Sequence, residues 1–254
     1  MTSPIAWRRL MSPERTAFRV LKKLQLMAKF FHYVLRTTDV AAARAFYSAV
    51  LGTTDAEIVQ LHEQALARGA RPHWLGFLEV AEVDVAASAF VARGAALLGP
   101  KWLDSRGLEA AFVRDPGGAL VALGKAGAAG GAALLHPRVA WHVLNTAHVE
   151  RAVTNYRELL GWEFAEPVDF REHGVFQPFA WQPGGVPVGA LSDIAQRPGV
   201  HPHWLFHFQV SALDPALEAV RAAGGVVLGP FTLPSGARVA VCDDAQGAAF
   251  ALLE

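Results

Sequence analysis

The chain has 254 residues, enough for one or two domains. It carries 23 Lys and Arg against 23 Asp and Glu, and this zero net charge argues against a nucleic-acid binder driven by overall charge. Hydrophobic residues make up 52% and charged residues 18%, which excludes a disordered chain and supplies material for real cores.

The charge is unevenly placed. Residues 1–29 hold seven Lys and Arg against the single Glu14, a balance of +6, and all three methionines. A basic arm for a membrane surface or an acidic partner, a targeting peptide, or an appended segment with Met27 opening the folded protein are the readings of this stretch. No uncharged apolar stretch anywhere reaches the roughly 18–20 residues of a membrane span. The single cysteine, Cys242, permits neither an internal disulfide nor a cysteine-based zinc site, and a reducing cytoplasm is the expected compartment.

Next comes LRTTDVAAARAFYSAVLG at 35–52. Asp39 is placed to cap a helix whose apolar side carries Val40, Ala43, Phe46, Tyr47, Val50 and Leu51. Between Gly52 and Pro72 the spacing of Ile58, Leu61, Ala65 and Leu66 predicts one helix, stopped by Gly69. A second strand-like run then leads into Asp84-Val85-Ala86-Ala87, a second expected cap and helix. Short β-like runs follow at 96–99, 107–114 and 118–124. Residues 125–137, KAGAAGGAALLHP, read as a linker.

The pattern then returns. LNTAHVERAVTNYRELLG at 144–161 repeats 35–52 at an offset of 109. PHWL at 72–75 recurs at 202–205, and Leu98-Gly99-Pro100 recurs at 228–230, both at an offset of 130. The chain is a duplication, and each copy is itself two β-α-β-β-β halves. The second copy inserts strand-like runs at 162–168, 174–181 and 186–191 where the first has its helix. Its last helix opens at Asp214-Pro215, and strands follow at 225–229, 236–242 and 248–253. The expected architecture is α+β: a basic extension at 1–29, a truncated domain at 30–124 lacking about three strands, the linker, and a complete domain at 138–254. The shortened copy leaves an edge that a second chain could complete, which leaves a homodimer open.

Paired modules opening on L-x-T-x-D-x-x-x-A-x-x-F-Y-x-x-x-L-G resemble the glyoxalase/bleomycin-resistance/dioxygenase superfamily, or vicinal oxygen chelate fold. The ending Arg114-Asp115-Pro116-Gly117-Gly118 is similar to that family's last hairpin; in the second copy it has drifted to Asp244-Ala245-Gln246-Gly247. The tandem arrangement is most similar to the family's two-domain, mycobacterial-antigen-like branch. The resemblance implies a divalent ion held by His or Glu on three strands of a cup. Carried over, the ligand positions are His32, Leu75 and Ala122 in one copy and Trp141, Leu205 and Ala251 in the other. One of these six side chains can coordinate, so no metal is expected.

Strand alternation then defines a binding cup. The second copy would turn Trp141, Val143, Asn145, Leu205, His207 and Gln209 inward, with Ala249 and Ala251. The first would offer His32, Val34, Arg36, Leu75, Phe77 and Glu79. An apolar wall with a few convergent polar groups suits a small organic ligand. The His201, His203 and His207 cluster could carry metal or acid–base chemistry, but His73 repeats His203 and Phe77 replaces His207, which favours a structural feature of the strand entrance. His62-Glu63 begins like a zincin helix, yet Leu66 stands where the second His is needed. Nearby Asp243 and Asp244 disfavour a Cys242 thiolate. Three readings compete: metal-independent binding of a small hydrophobic or aromatic molecule; a divalent-metal-dependent lyase, isomerase or ring-cleaving dioxygenase with atypical ligands such as His32, Glu79 or His207; and a structural protein with filled cups.

Overall fold

The computed structural model describes residues 28–52, 57–105, 107–125, 138–233 and 235–254. All but Ala28 and Lys29 of the basic extension, and all but Lys125 of the linker, lie outside the described residues. The first copy runs β1 (Phe30–Thr37), α1 (Val40–Leu51), β2 (Glu57–Gln60), α2 (Glu63–Ala67), β3 (His73–Glu79), α3 (Val83–Ala92), β4 (Ala96–Leu97), β5 (Trp102–Leu103), β6 (Glu109–Arg114) and β7 (Leu120–Lys125). The second runs β8 (Val139–Asn145), α4 (Val149–Leu160), β9 (Glu163–Phe164), β10 (Val168–Asp169), β11 (Val175–Ala180), β12 (Gly189–Ser192), β13 (His203–Gln209), α5 (Leu213–Ala222), β14 (Val226–Thr232), β15 (Arg238–Asp243) and β16 (Ala249–Leu253).

Each copy builds one sheet. The orders are β2-β1-β3-β7-β6-β4, with β5 also on β6, and β10-β11-β12-β8-β13-β16-β15-β14, with β9 on β11. In both sheets the opening strands of the two halves lie antiparallel at the centre, β1 beside β3 and β8 beside β13. Each has a parallel outer neighbour: β2, β7, β12 and β16. This is the α+β arrangement of paired modules.

Local chemistry explains most boundaries. Asp39 accepts a hydrogen bond from the Ala42 N–H at 2.9 Å and starts α1. Gly52 (φ 67°) ends it in the left-handed region, and Gly161 (φ 74°) ends α4 the same way. Two expectations are corrected. Asp84 does not cap: α3 begins at Val83 without a side-chain cap, and Asp84 sits inside its first turn, bonded to Lys101 at 2.8 Å. Nor is the stretch after Gly52 one helix. Residues 57–60 form β2, with Ile58 paired to Leu35, and only 63–67 are helical. The apolar spacing fitted a helix, but the sheet buries Ile58 and Leu61 more completely than a lone surface helix would. The first copy therefore keeps a counterpart of β12 and, among the described residues, lacks those of β9, β10 and β11.

One face of each sheet and the longer helices, α1, α3, α4 and α5, share a single apolar core. From the first copy, Tyr33 meets Phe206, Phe46 and Tyr47 meet Phe250, and Trp74 meets Phe208 of the second. Burial of each such side chain contributes about 1.5–3 kcal/mol. α1 packs on α5 and α3 on α4, so each copy's helices rest on the other's. Equivalent positions meet on the pseudo-twofold axis. The Tyr33 hydroxyl lies 2.7 Å from His142 Nε2, its counterpart at offset 109. Gly76 faces Phe206, its counterpart at offset 130.

Candidate functional site

The faces turned away from the shared core form the two cups. On β8, His142 and Leu144 turn to the core side, while Trp141, Val143 and Asn145 take the other face. On β13, Trp204, Phe206 and Phe208 point coreward, and Leu205 and His207 alternate with them. Pairing sets Leu205 opposite Val143, His207 opposite Trp141 and His203 opposite Asn145. Val143, Leu205 and Ala251 are buried in a separate apolar cluster, joined by part-buried Trp141, Phe176, Val241 and Ala249. Gln209 is exposed at the end of β13, and His32 belongs to the other cup.

The polar groups of the second cup are neutral. His207 is 7% exposed and its buried Nδ1 has no hydrogen-bond partner. Burial, helped by neighbouring His142, pushes its pKa down to about 3. His203 Nδ1 lies 2.8 Å from the His201 carbonyl. A carbonyl only accepts, so this nitrogen carries the proton and Nε2 accepts from the Asn145 amide at 3.2 Å. Burial lowers the His203 pKa as well.

The first cup differs. Val34, Leu75, Phe77, Leu108, Ala110 and Ala122 form its buried cluster, with Phe31 and Phe112 part-buried against it. His32 is 1% exposed, 5.0 Å from the Phe77 ring between centroids, and its Nε2 lies 3.2 Å from a Glu57 carboxylate oxygen. Glu57 reaches this place because β2 pairs it with Val34, one alternation from His32. Sequence reasoning missed Glu57, since it read the segment as helix. Arg36 lies on the same face, with its guanidinium 4.6 Å from the centre of the Phe112 ring.

These donors do not fit a firmly held metal ion. Beside His32, the two other positions implied by the resemblance are the buried apolar Leu75 and Ala122; Glu57 is an added donor, and Glu79 stands exposed at the end of β3. Around His207 stand Trp141, Leu205 and Ala251. Among the described residues no three His, Cys, Asp or Glu side chains converge, whereas a firmly bound transition ion takes three or four. His62 caps α2 through a bond from the Gln64 N–H at 3.2 Å. Cys242 is buried, and burial followed by the Asp243 charge pushes its thiol up to about 12. Among the described residues no helix is long and apolar enough to cross a membrane.

Comparison with known proteins agrees with this fold. Residues 138–252 match the model of the Glyoxalase/Bleomycin resistance protein/Dioxygenase superfamily. The chain is 28% identical over 249 residues to the Mycobacterium bovis protein named "Putative glyoxylase CFP32", covering 87% of this chain and 92% of that one. It is 31% identical over 166 residues to the Streptomyces peucetius "Anthracycline biosynthesis protein DnrV", covering 64% of this chain and 58% of that protein. A solved homoprotocatechuate 2,3-dioxygenase variant from B. fuscum shares the fold at a TM-score of 0.62 and 17% identity, over 90% of this chain and 71% of that one. The family match thus lies on the second copy, residues 138–252, and the two sheets of paired β-α-β-β-β modules give the chain the fold of that solved structure.

Proposed function

We propose that the second cup binds a small, uncharged hydrophobic or aromatic molecule without the help of a metal ion. One observation carries this reading. The inner wall around Val143, Leu205 and Ala251 is a buried apolar cluster separate from the shared core, and Trp141, Phe176, Val241 and Ala249, packed against it, are themselves only partly buried. Partly exposed apolar side chains beside a few polar groups are the usual lining of an organic-ligand site, and Asn145, His203 and His207 supply neutral hydrogen-bonding groups here. A relative named for anthracycline biosynthesis supports an aromatic guest.

The test is tryptophan fluorescence of the purified protein against neutral polycyclic aromatics and aromatic antibiotics. Quenching that disappears in Trp141→Ala is expected. No quenching by any compound, or quenching that Trp141→Ala leaves intact, sinks the reading. Elemental analysis of protein prepared without chelator separates the metal-dependent alternative, since stoichiometric Fe, Mn, Ni or Zn would establish a coordination site. The edge at β2 is four residues long, and light scattering shows whether a second chain adds there.

A further inference from the structure

The duplication has left one cup charged and the other neutral. The residue at offset 109 from Arg36 is Asn145, and from His32 it is Trp141. Glu57 pairs with Val34 on β1, whereas Ala190 pairs with Val143 at the corresponding place on β8. Phe112 lies opposite Ala122, whereas Val241 lies opposite Ala251. The first cup therefore carries an arginine, an acid and a ring where the second has an amide, an alanine and a valine.

Arg36 is the group whose presence demands an explanation. It is part-buried, its Nε is buried without a hydrogen-bond partner, and among the described residues no carboxylate pairs with it. Glu57, on the adjoining strand, is turned to His32. The cation is instead set on the Phe112 ring. Burial alone draws its pKa down, with no anion holding it up. A second cation stands close by: Arg114 ends β6, and its Nη1 bonds the Gly118 carbonyl at 3.1 Å. His73, opposite Arg36 on β3, adds no negative charge. Burial first, then Arg36, His201 and Arg114, push it toward its neutral form. A partly desolvated guanidinium without a counter-ion is costly to keep. Its planar fork suits a carboxylate, and the surrounding Leu75, Phe77 and Phe112 suit an apolar or aromatic body.

We propose that the first cup is a second, independent ligand site for an aromatic carboxylate, with Arg36 as the anchor for the carboxylate and Phe77 and Phe112 against the ring system. The His32–Glu57 pair lies four residues further down the same strand face, about 13 Å from the Arg36 backbone. This site does not depend on the reading of the second cup.

The experiment is isothermal titration calorimetry of the full chain with 2-naphthoate and its neutral counterpart 2-naphthamide. Tighter binding of the carboxylate, weakened by added salt, is expected. Arg36→Met, which keeps the stem and removes the charge, weakens 2-naphthoate about tenfold or more. The amide is unaffected by that change, and Trp141→Ala leaves the naphthoate titration as it was. Equal affinity for the two compounds, no binding of either up to their solubility, or an unchanged naphthoate affinity in Arg36→Met overturns the proposal. Loss in Trp141→Ala alone moves the carboxylate to the second cup and overturns it too. Should Arg36→Met fail to fold, the carboxylate-against-amide comparison on the native chain and the Arg36→Lys variant, which keeps charge without the fork, still decide. Arg36→Lys is expected to bind 2-naphthoate more weakly than the native chain and more strongly than 2-naphthamide; equal affinities in that variant count against the proposal.

Discussion

The Tyr47 hydroxyl donates to Asp244 Oδ2 at 3.1 Å across the two copies, and Tyr156 repeats the bond to Asp115 Oδ2 at 3.1 Å in the opposite direction. Each acid's other oxygen holds its own hairpin, through the Ala248 and Ala119 N–H groups at 2.9 Å. The repeated Tyr of the helix and the repeated Asp of the hairpin are thus two halves of a bolt, each copy supplying one half to the other. Burial, and then the facing carboxylate, hold both tyrosines far above their ordinary pKa, so they remain donors. Tyr47→Phe removes one bolt and leaves a buried acid short of a donor. The expected cost is about 1–3 kcal/mol in urea unfolding at neutral pH. A change under about 0.5 kcal/mol, the usual range for inert surface positions, would show that the bond contributes nothing.

The sequence disclosed this bolt only as a repeat. Asp39, Gly52 and the apolar side of α1 act within a dozen residues, so local chemistry made them readable. The partner of Tyr47 is 197 residues away, and no spacing rule reaches that far. The cup faces were legible because alternation is local: Trp141, Val143 and Leu205 take the face expected of them. Glu57 was not, because Ile58, Leu61, Ala65 and Leu66 satisfy a helical period as well as they satisfy β2 followed by a short α2. Pairing with Leu35, set by the whole sheet, decides between the two.

Gly76 shows how the copies approach each other. A Cβ there would lie 2.6 Å from the Phe30 ring and 2.7 Å from that of Phe206. The repeat has a small residue in one copy and a large one in the other, so the two halves of the core interlock at the axis. Gly76→Ala is expected to cost about 1–3 kcal/mol through overpacking. Phe206→Leu should recover part of that loss in the double variant, because the two changes act on one volume. Additive losses in a double-mutant cycle would place the strain elsewhere.

Gln246 explains why the second hairpin drifted from the first. Its Oε1 accepts from the Asp39 N–H at 2.7 Å and the Thr38 N–H at 3.1 Å, and its Nε2 donates to the Asp39 carbonyl at 2.9 Å. It therefore holds the entry of α1 from the opposite copy. At the other crossing the equivalent residue is Gly117, where a Cβ would fall 2.6 Å from the Thr146 hydroxyl. Gln246→Ala should lower stability by about 1–2 kcal/mol. Hydrogen exchange should speed up first at the amides opening α1, and uniform exchange across the chain would contradict a local clamp.

His142 and His207 make the fold sensitive to acid. His142 Nδ1 faces the Val188 carbonyl at 2.9 Å, so it carries the proton and Nε2 accepts from Tyr33. Burial pushes the His142 pKa down to about 4 and, with His142 beside it, that of His207 down to about 3. A histidine depressed in the folded state takes up its proton first in the unfolded chain. The stability it confers is complete above about pH 6.5 and is lost as the pH falls toward the folded value, at about 1.4 kcal/mol per pH unit for each residue. The raised pKa of Asp115, caused by burial, acts the other way and favours the folded chain as the pH falls. His207→Phe installs the ring that Phe77 places opposite His32 in the first cup. Relative to the native chain, that variant should gain about 2 kcal/mol on going from pH 7 to pH 5, read as the difference between urea midpoints. Two curves that fall in parallel would mean that His207 already takes up its proton in the folded protein, and the second cup would then hold a cation at mildly acid pH instead of the neutral wall described above.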